Sequence, residues 1–408
     1  MRPSGLSHRL LTPLLLACLL PACAPSAPRM RLGSLPFPGI ASLYAPIDPA
    51  DIRPHQADSL FAHPDAERGT LYTCRAGFLD LSHVREYTDF TRFVFRAAEP
   101  LLLSSGGSFS TEWSGALVTW IVTPPPALAA LPETDRRRLA REIALRAAQR
   151  AAVQLGTYHE LATWYGYSTI PGISEQRSAF TWDDTTSHLV AARVGARALR
   201  SPFSDWDHAV TWALHAELLA LHAAPRHTHD LAVDLTRGLW FKDGRPLRRD
   251  LDTGLDPSTS KVPWTVPGLP WCQGLTPLPL GLPTLDAVEG LDARDAVLIT
   301  FQPSAAIAER MTGQHPPPTT LVGDQVLLDA VERLRSQLPP DTATRPEPRN
   351  PWPIAQSVPR RASAAQKQEQ PGPSPGLVTT LARKLDLNSM QHTAGHLGSH
   401  IPAHQRPT

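Results

Sequence analysis

Four short stretches of this chain gather the side chains that could do chemistry. The first runs over residues 72–85 and contains Cys74, Asp80 and His83. If this run is helical, Asp80 and His83 are three apart and share one face. The second, Tyr158-His159-Glu160-Leu161-Ala162-Thr163-Trp164-Tyr165-Gly166, sets a Glu directly after a His. The third covers residues 178–184, ending in Asp183-Asp184, with His188 one turn further on. The fourth spans Leu251-Asp252-Thr253-Gly254-Leu255-Asp256, then residues 262–268, and closes at Cys272.

Imidazoles and carboxylates are the donors that zinc takes, and a catalytic zinc uses three protein ligands and keeps one position open. His83, His159 and Asp80 are the metal ligands this sequence offers. Glu160, adjacent to a ligand, is the base that would take a proton from a bound water. On that expectation His159 and Glu160 are catalytic, zinc is the cofactor, and the chain is a metal-dependent hydrolase. The segment His-Glu-Leu-Ala-Thr has Thr163 where the common zinc signature has its second His, so the ligands must come from separate segments.

Other chemistries compete for the same residues. Burying an Asp, a Glu and two His side chains demands partners, and mutual pairing alone would explain the cluster as structural. Metal-free acid–base catalysis is a third reading. A Cys-His thiol hydrolase is a fourth, with Cys74 beside Arg75 as nucleophile and His83 or His159 as its base. Against it, two lone cysteines in an oxidising compartment are expected to form a disulfide, here Cys74–Cys272. A non-catalytic binding or scaffolding protein is the remaining alternative, with the Trp-rich segment 240–271 lining a groove for a glycan or peptide. These alternatives stay open on the sequence.

The elements that must position these residues read as mainly α with small β elements, an α+β class. Residues 135–165 are rich in Ala, Leu, Arg and Glu, and Ala144, Ala148, Ala151, Leu155, His159 and Ala162 form one stripe at helical spacing. Thr181 is the expected N-cap of a second helix through Val190, Val194 and Ala198. Residues 205–222 predict a third helix and residues 78–95 a fourth, the last with enough aromatic and β-branched content to be partly extended. Residues 116–122 predict a strand, with 101–103 as its partner. Residues 240–245 carry an Asp-Gly turn suited to a hairpin, and 296–301 form another short strand.

The ends differ in composition from this core. Residues 1–9 are short and basic, 10–20 are almost wholly apolar, and Leu20-Pro21-Ala22-Cys23 follows. That order predicts a secretory signal ending in a lipobox, with Cys23 as the lipidated residue and Cys18 as the alternative. The apolar run is about half of a bilayer-spanning helix. Such a protein would face the periplasm, held on a membrane of the cell envelope by its N-terminal lipid. Residues 24–61 read as a Pro-rich linker, 62–336 as one mainly helical folded domain, and 337–408 as a disordered Pro-rich tail; Pro is 43 of 408 residues. A net charge of +1 gives no field for nucleic acid.

These four groups in this order, behind such a signal, resemble an uncharacterised bacterial lipoprotein family, domain of unknown function family 4056. The resemblance covers roughly residues 65–275. It is carried most by the run from Tyr72 to Arg85 and by the His-Glu segment ending Thr163-Trp164-Tyr165-Gly166. Ser178-Ala179-Phe180 and the Pro263 to Gly268 segment match more loosely, and His188 stands where the pattern has Asn. The family carries no activity that could be transferred.

Overall fold

A hairpin leads into the first long helix. Strands β1 (Thr70–Thr73) and β2 (Gly77–Asp80) pair antiparallel, and helix α1 (Leu81–Leu102) starts directly after Asp80. The residues expected to open a helix at 78 are therefore extended up to Asp80, where a carboxylate supplies the N-cap. The computed structural model describes residues 27–28, 46–57 and 69–346, apart from 170, 171, 173, 243, 244 and 257. The segment expected as a signal, with Cys18 and Cys23, most of the expected linker at 24–61 and the stretch from 347 onward lie outside the described residues.

The partner of the 116–122 strand is not 101–103, which ends α1. It is β3 (Gly107–Trp113), joined to β4 (Ala116–Val122) by a two-residue turn. Ser114 (φ 46) and Gly115 (φ 74) both take left-handed backbone, as the hairpin turn that matches strand twist requires. Along β4, Ala116, Val118, Trp120 and Val122 point into the core and the alternate residues outward.

After a short helix α2 (Pro126–Ala129) comes α3 (Glu133–Trp164), then α4 (Asp184–Leu199), α5 (Trp206–Ala220) and α6 (Arg226–Thr236). The N-cap of α4 is Asp183, not Thr181. Thr181 instead donates its hydroxyl to Asp183 Oδ1 at 2.7 Å and its N–H to Asp184 Oδ2 at 2.6 Å. Helix α1 packs against both α3 and α4, which also contact each other, so three helices enclose the main core. The small side chains of the α3 stripe are buried, and His159 is its one partly exposed member.

A small hairpin, β5 (Phe241–Lys242) with β6 (Arg245–Pro246), forms where the Asp-Gly turn predicts it. A long irregular segment then leads to β7 (Val297–Pro303), α7 (Ala305–Thr312), β8 (Leu321–Val322) and α8 (Gly323–Gln337). The main sheet runs in the order β3-β4-β7-β8, antiparallel throughout. Cys74 and Cys272 are joined with a Cα separation of 5.2 Å, across 198 residues of sequence. A cross-link over so long a loop removes unfolded-chain entropy worth about 5 kcal/mol in the chain-entropy model.

Packed structure extends past 62–336 at both ends. His55 is buried with Nε2 2.8 Å from Asp89 Oδ1, and Arg85 donates to the carbonyls of Arg53 and Pro54. At the far end, Thr342 accepts from the Arg249 N–H and Pro346 from the Trp264 indole. Composition marked both stretches as linker or tail because their Pro content hides a few buried anchors. The fold is α+β, dominated by helices.

Candidate functional site

The site lies where α1, α3 and α4 meet. Asp80 Oδ1 accepts from the N–H of Ser82 at 2.7 Å and from its hydroxyl at 2.5 Å, which fixes the first turn of α1 and so the place of His83. The Asp80 N–H donates to Ser187 Oγ at 2.9 Å, tying the hairpin to α4. Near the end of α3, Glu160 turns inward and its Oε2 accepts from the Phe180 N–H at 2.8 Å. Phe180 holds left-handed backbone at φ 56. It is kept there by Asp250, whose N–H donates to its carbonyl at 2.9 Å, and by Arg249, which donates to the carbonyl of Arg177 at 2.8 Å. His159, one residue before Glu160, has its Nδ1 2.7 Å from the Ser114 hydroxyl in the β3–β4 turn.

His83, His159 and Glu160 each bring one potential ligand atom, and these atoms lie within 4.8 Å of one another. This differs from the expected set. Glu160, expected as a base, is in the triad; Asp80, expected as a ligand, caps α1 and stands 4.0 Å from His83 Nδ1 through Oδ2. Asp184 Oδ1 is nearer to that nitrogen, at 3.4 Å. His83 Nδ1 makes no hydrogen bond despite that proximity, whereas His159 has its Nδ1 on the Ser114 hydroxyl, which leaves Nε2 as its other nitrogen. Metal-ligating histidines commonly show this pattern, one nitrogen to the ion and the other to an orienting oxygen.

The electrostatics follow from burying four carboxyl groups together. Burial, reinforced by Asp184, raises the Glu160 carboxyl well above its ordinary range. Burial and Asp184 also push Asp183 up to about 8. For His83, burial works against the charged form, but Asp80 and Asp184 outweigh it and raise its pKa well above the ordinary value. His159 is held down to about 3 by burial and by His83, so it stays neutral, as a ligand must. His188 is lowered for the same two reasons. Without an ion, positive charge is thus concentrated on His83, beside Asp80 and Asp184, and an ion bound there would have to displace its proton.

Some expectations part from the structure here. The Cys74 sulfur is bonded to Cys272, so the thiol-nucleophile reading of Cys74 is corrected: Cys74 carries no free thiol. Trp240 and Trp264 are 5.5 Å apart in a cluster with Trp182 and Val266, so these rings of the Trp-rich segment pack as core. Sequence reasoning did not find Ser114, whose role depends on a turn between strands of which one went unseen. It also missed Gly156, although a lone Gly in an Ala-rich helix is a signal of close approach. A Cβ at that position would lie 2.5 Å from the His188 ring.

No curated protein and no solved structure matches the chain. A family match covers every site residue named above, from Asp80 to His188, and stops short of Cys272. Residues 51–250, just under half of the chain, match the family model described as Protein of unknown function (DUF4056), and this match supports the family to which the sequence motifs point.

Proposed function

We propose that the chain is a metal-dependent hydrolase whose ion, of the zinc class, is held by His83, His159 and Glu160. One observation carries this reading: three donors converge within 4.8 Å, and Nδ1 of His159 is held by the Ser114 hydroxyl. An ion in such a set polarises a carbonyl or phosphoryl oxygen and makes water a better nucleophile. The protein's own groups hold and aim. Asp184 and Asp80 flank the His83 ring at 3.4 and 4.0 Å, Ser114 fixes His159, and the Phe180 N–H fixes Glu160. Among the described residues, two of the four non-glycine positions with left-handed backbone, Ser114 and Phe180, are the ones touching His159 and Glu160. Strain persists where surrounding structure enforces it, and functional sites are where it collects.

His83 and His159 are the partly exposed members of the triad and Glu160 is the deep one, so substrate approaches over the imidazoles. The rings of Trp113 and Tyr167, 6.0 and 6.3 Å from His159, would flank an ester or amide there. Export, lipid anchoring at Cys23 and an envelope substrate belong to this proposal and rest on the sequence. Among the described residues no helix is long and apolar enough to cross a membrane.

The alternative is a non-catalytic binding or scaffolding protein with a closed structural cluster. It is favoured by Asp80, Asp183 and Asp184 each accepting hydrogen bonds from the protein already. Metal content of the purified protein separates the two. The hydrolase reading expects about one zinc per chain, lost in His83→Ala and His159→Ala with helicity retained. Wild-type protein that stays metal-free after incubation with zinc would sink it.

A further inference from the structure

His188 is a third imidazole in the cluster, and its chemistry is unspent. The residue is 1% exposed, and neither ring nitrogen has a hydrogen-bond partner among the described residues. A neutral imidazole carries one donor and one acceptor, and leaving both unmet in the interior is unfavourable. The ring is nevertheless held firmly. Gly156 of α3 leaves its place open, since a Cβ there would meet three ring atoms at 2.5 to 2.7 Å. Tyr87 of α1 packs edge-on against the ring, centroid to centroid 4.5 Å.

What the ring faces is informative. His188 Nε2 lies 3.9 Å from Glu160 Oε1, too far for a hydrogen bond, and that oxygen is also buried without a partner. Two unmet atoms thus confront each other across a gap. Donors bound to one ion at about 2.0–2.2 Å stand roughly 3 to 4 Å apart, which is the width of this gap. The His83 and His188 rings are 5.4 Å apart, centroid to centroid; the donor atoms within 4.8 Å of one another are those of His83, His159 and Glu160, so an ion would have to draw His188 in.

We propose that His188 is a fourth protein ligand of the ion held by His83, His159 and Glu160, making the donor set three imidazoles and one carboxylate. This rests on the metal reading above and narrows it. With four protein donors, a tetrahedral ion has no vacant position, so substrate or water must enter as a fifth ligand. Zinc can expand to five, and iron, cobalt and nickel accept more donors readily with imidazole-rich sets.

Cobalt(II) loaded into the full-length protein tests this, read by its visible absorption and by its binding affinity. Wild type is compared with His188→Phe, which keeps a flat ring without nitrogens, and with Gly156→Ala, which removes no donor but displaces the His188 ring. If His188 is a ligand, both variants bind cobalt at least about tenfold more weakly and both change the band pattern. His188→Phe should melt no lower than wild type without metal, since an apolar ring replaces two unmet polar atoms. Should His188→Phe fold poorly, Gly156→Ala decides. An unchanged band pattern in the folded variants overturns the fourth ligand, whether affinity falls or not, and leaves the three-ligand site standing. Wild type that binds no cobalt and no zinc overturns both.

Discussion

Two of the buried clusters of charged groups among the described residues are built differently. Around Lys261, which is 1% exposed, every donor is spent: Nζ donates to Thr185 Oγ1 at 2.9 Å, to Asp250 Oδ2 at 2.6 Å and to the Asp252 carbonyl at 2.7 Å. Arg345 adds a contact to Asp250 at 3.4 Å. Around Glu160 the opposite holds, because Glu160 Oε1 and both nitrogens of His188 are left over. A satisfied network fixes structure, while an unsatisfied one in a native fold calls for a missing partner. Proximity sharpens the contrast, since Thr185 in the first network adjoins Asp184 in the second.

The two clusters should oppose each other in pH dependence, and this gives the largest expected effect. Asp183, buried beside Asp184, has its folded value raised from 3.8 to about 8. Its stabilising contribution is complete below the unfolded value and is lost as pH rises through the folded one. Asp250 runs the other way: burial would raise it, but Lys261 and Arg345 hold it below its ordinary value. Its contribution is present above the ordinary carboxylate range and fades as pH falls. In chelator-treated protein, Asp183→Asn should remove several kcal/mol of the stability lost between about pH 4 and pH 8. Urea midpoints across that range check it, and equal slopes in the two proteins would mean that Asp183 does not carry the strain.

Lys261→Met comes next in size. It leaves Asp250 buried with one distant arginine, so unfolding free energy should fall by about 3–5 kcal/mol in urea titration. A loss below about 1 kcal/mol would show that the closed network is not structural, and the comparison would collapse. The smallest effect is expected at Ser114. Ser114→Gly keeps the left-handed backbone but removes the hydroxyl on His159, so stability should stay within about 0.5 kcal/mol of wild type. Zinc affinity should drop about 10–100-fold, measured by competition with a chelating dye. Unchanged affinity would mean that His159 needs no orienting oxygen.

Sequence alone made the long helices legible, because the Ala and Leu positions of α3 and the Trp and Leu positions of α5 repeat at helical spacing. It also brought out Asp80, His83, His159 and Glu160 as residues worth weighing. It did not show β3, whose Gly, Ser and Thr residues carry little apolar alternation and whose order comes from backbone pairing with β4. Without β3 there is no turn at Ser114, and His159 has no visible partner. Asp80, expected as a ligand, caps α1 for a similar reason. A carboxylate just before a helix can cap it or ligate an ion, and only the position of the Ser82 N–H decides. His188 was visible as one turn beyond Asp184, but its value depends on Gly156 of another helix, a relation that no local pattern contains.

The bond between Cys74 and Cys272 also decides what a protease can do to this molecule. Every residue of the site, from Asp80 to His188, lies between its two ends. One backbone cut anywhere in that span leaves two pieces that remain covalently joined. The two pieces can part only after a reductant opens the ring. A nicked molecule is therefore still one molecule, and the lifetime of the site is set by the second injury rather than the first.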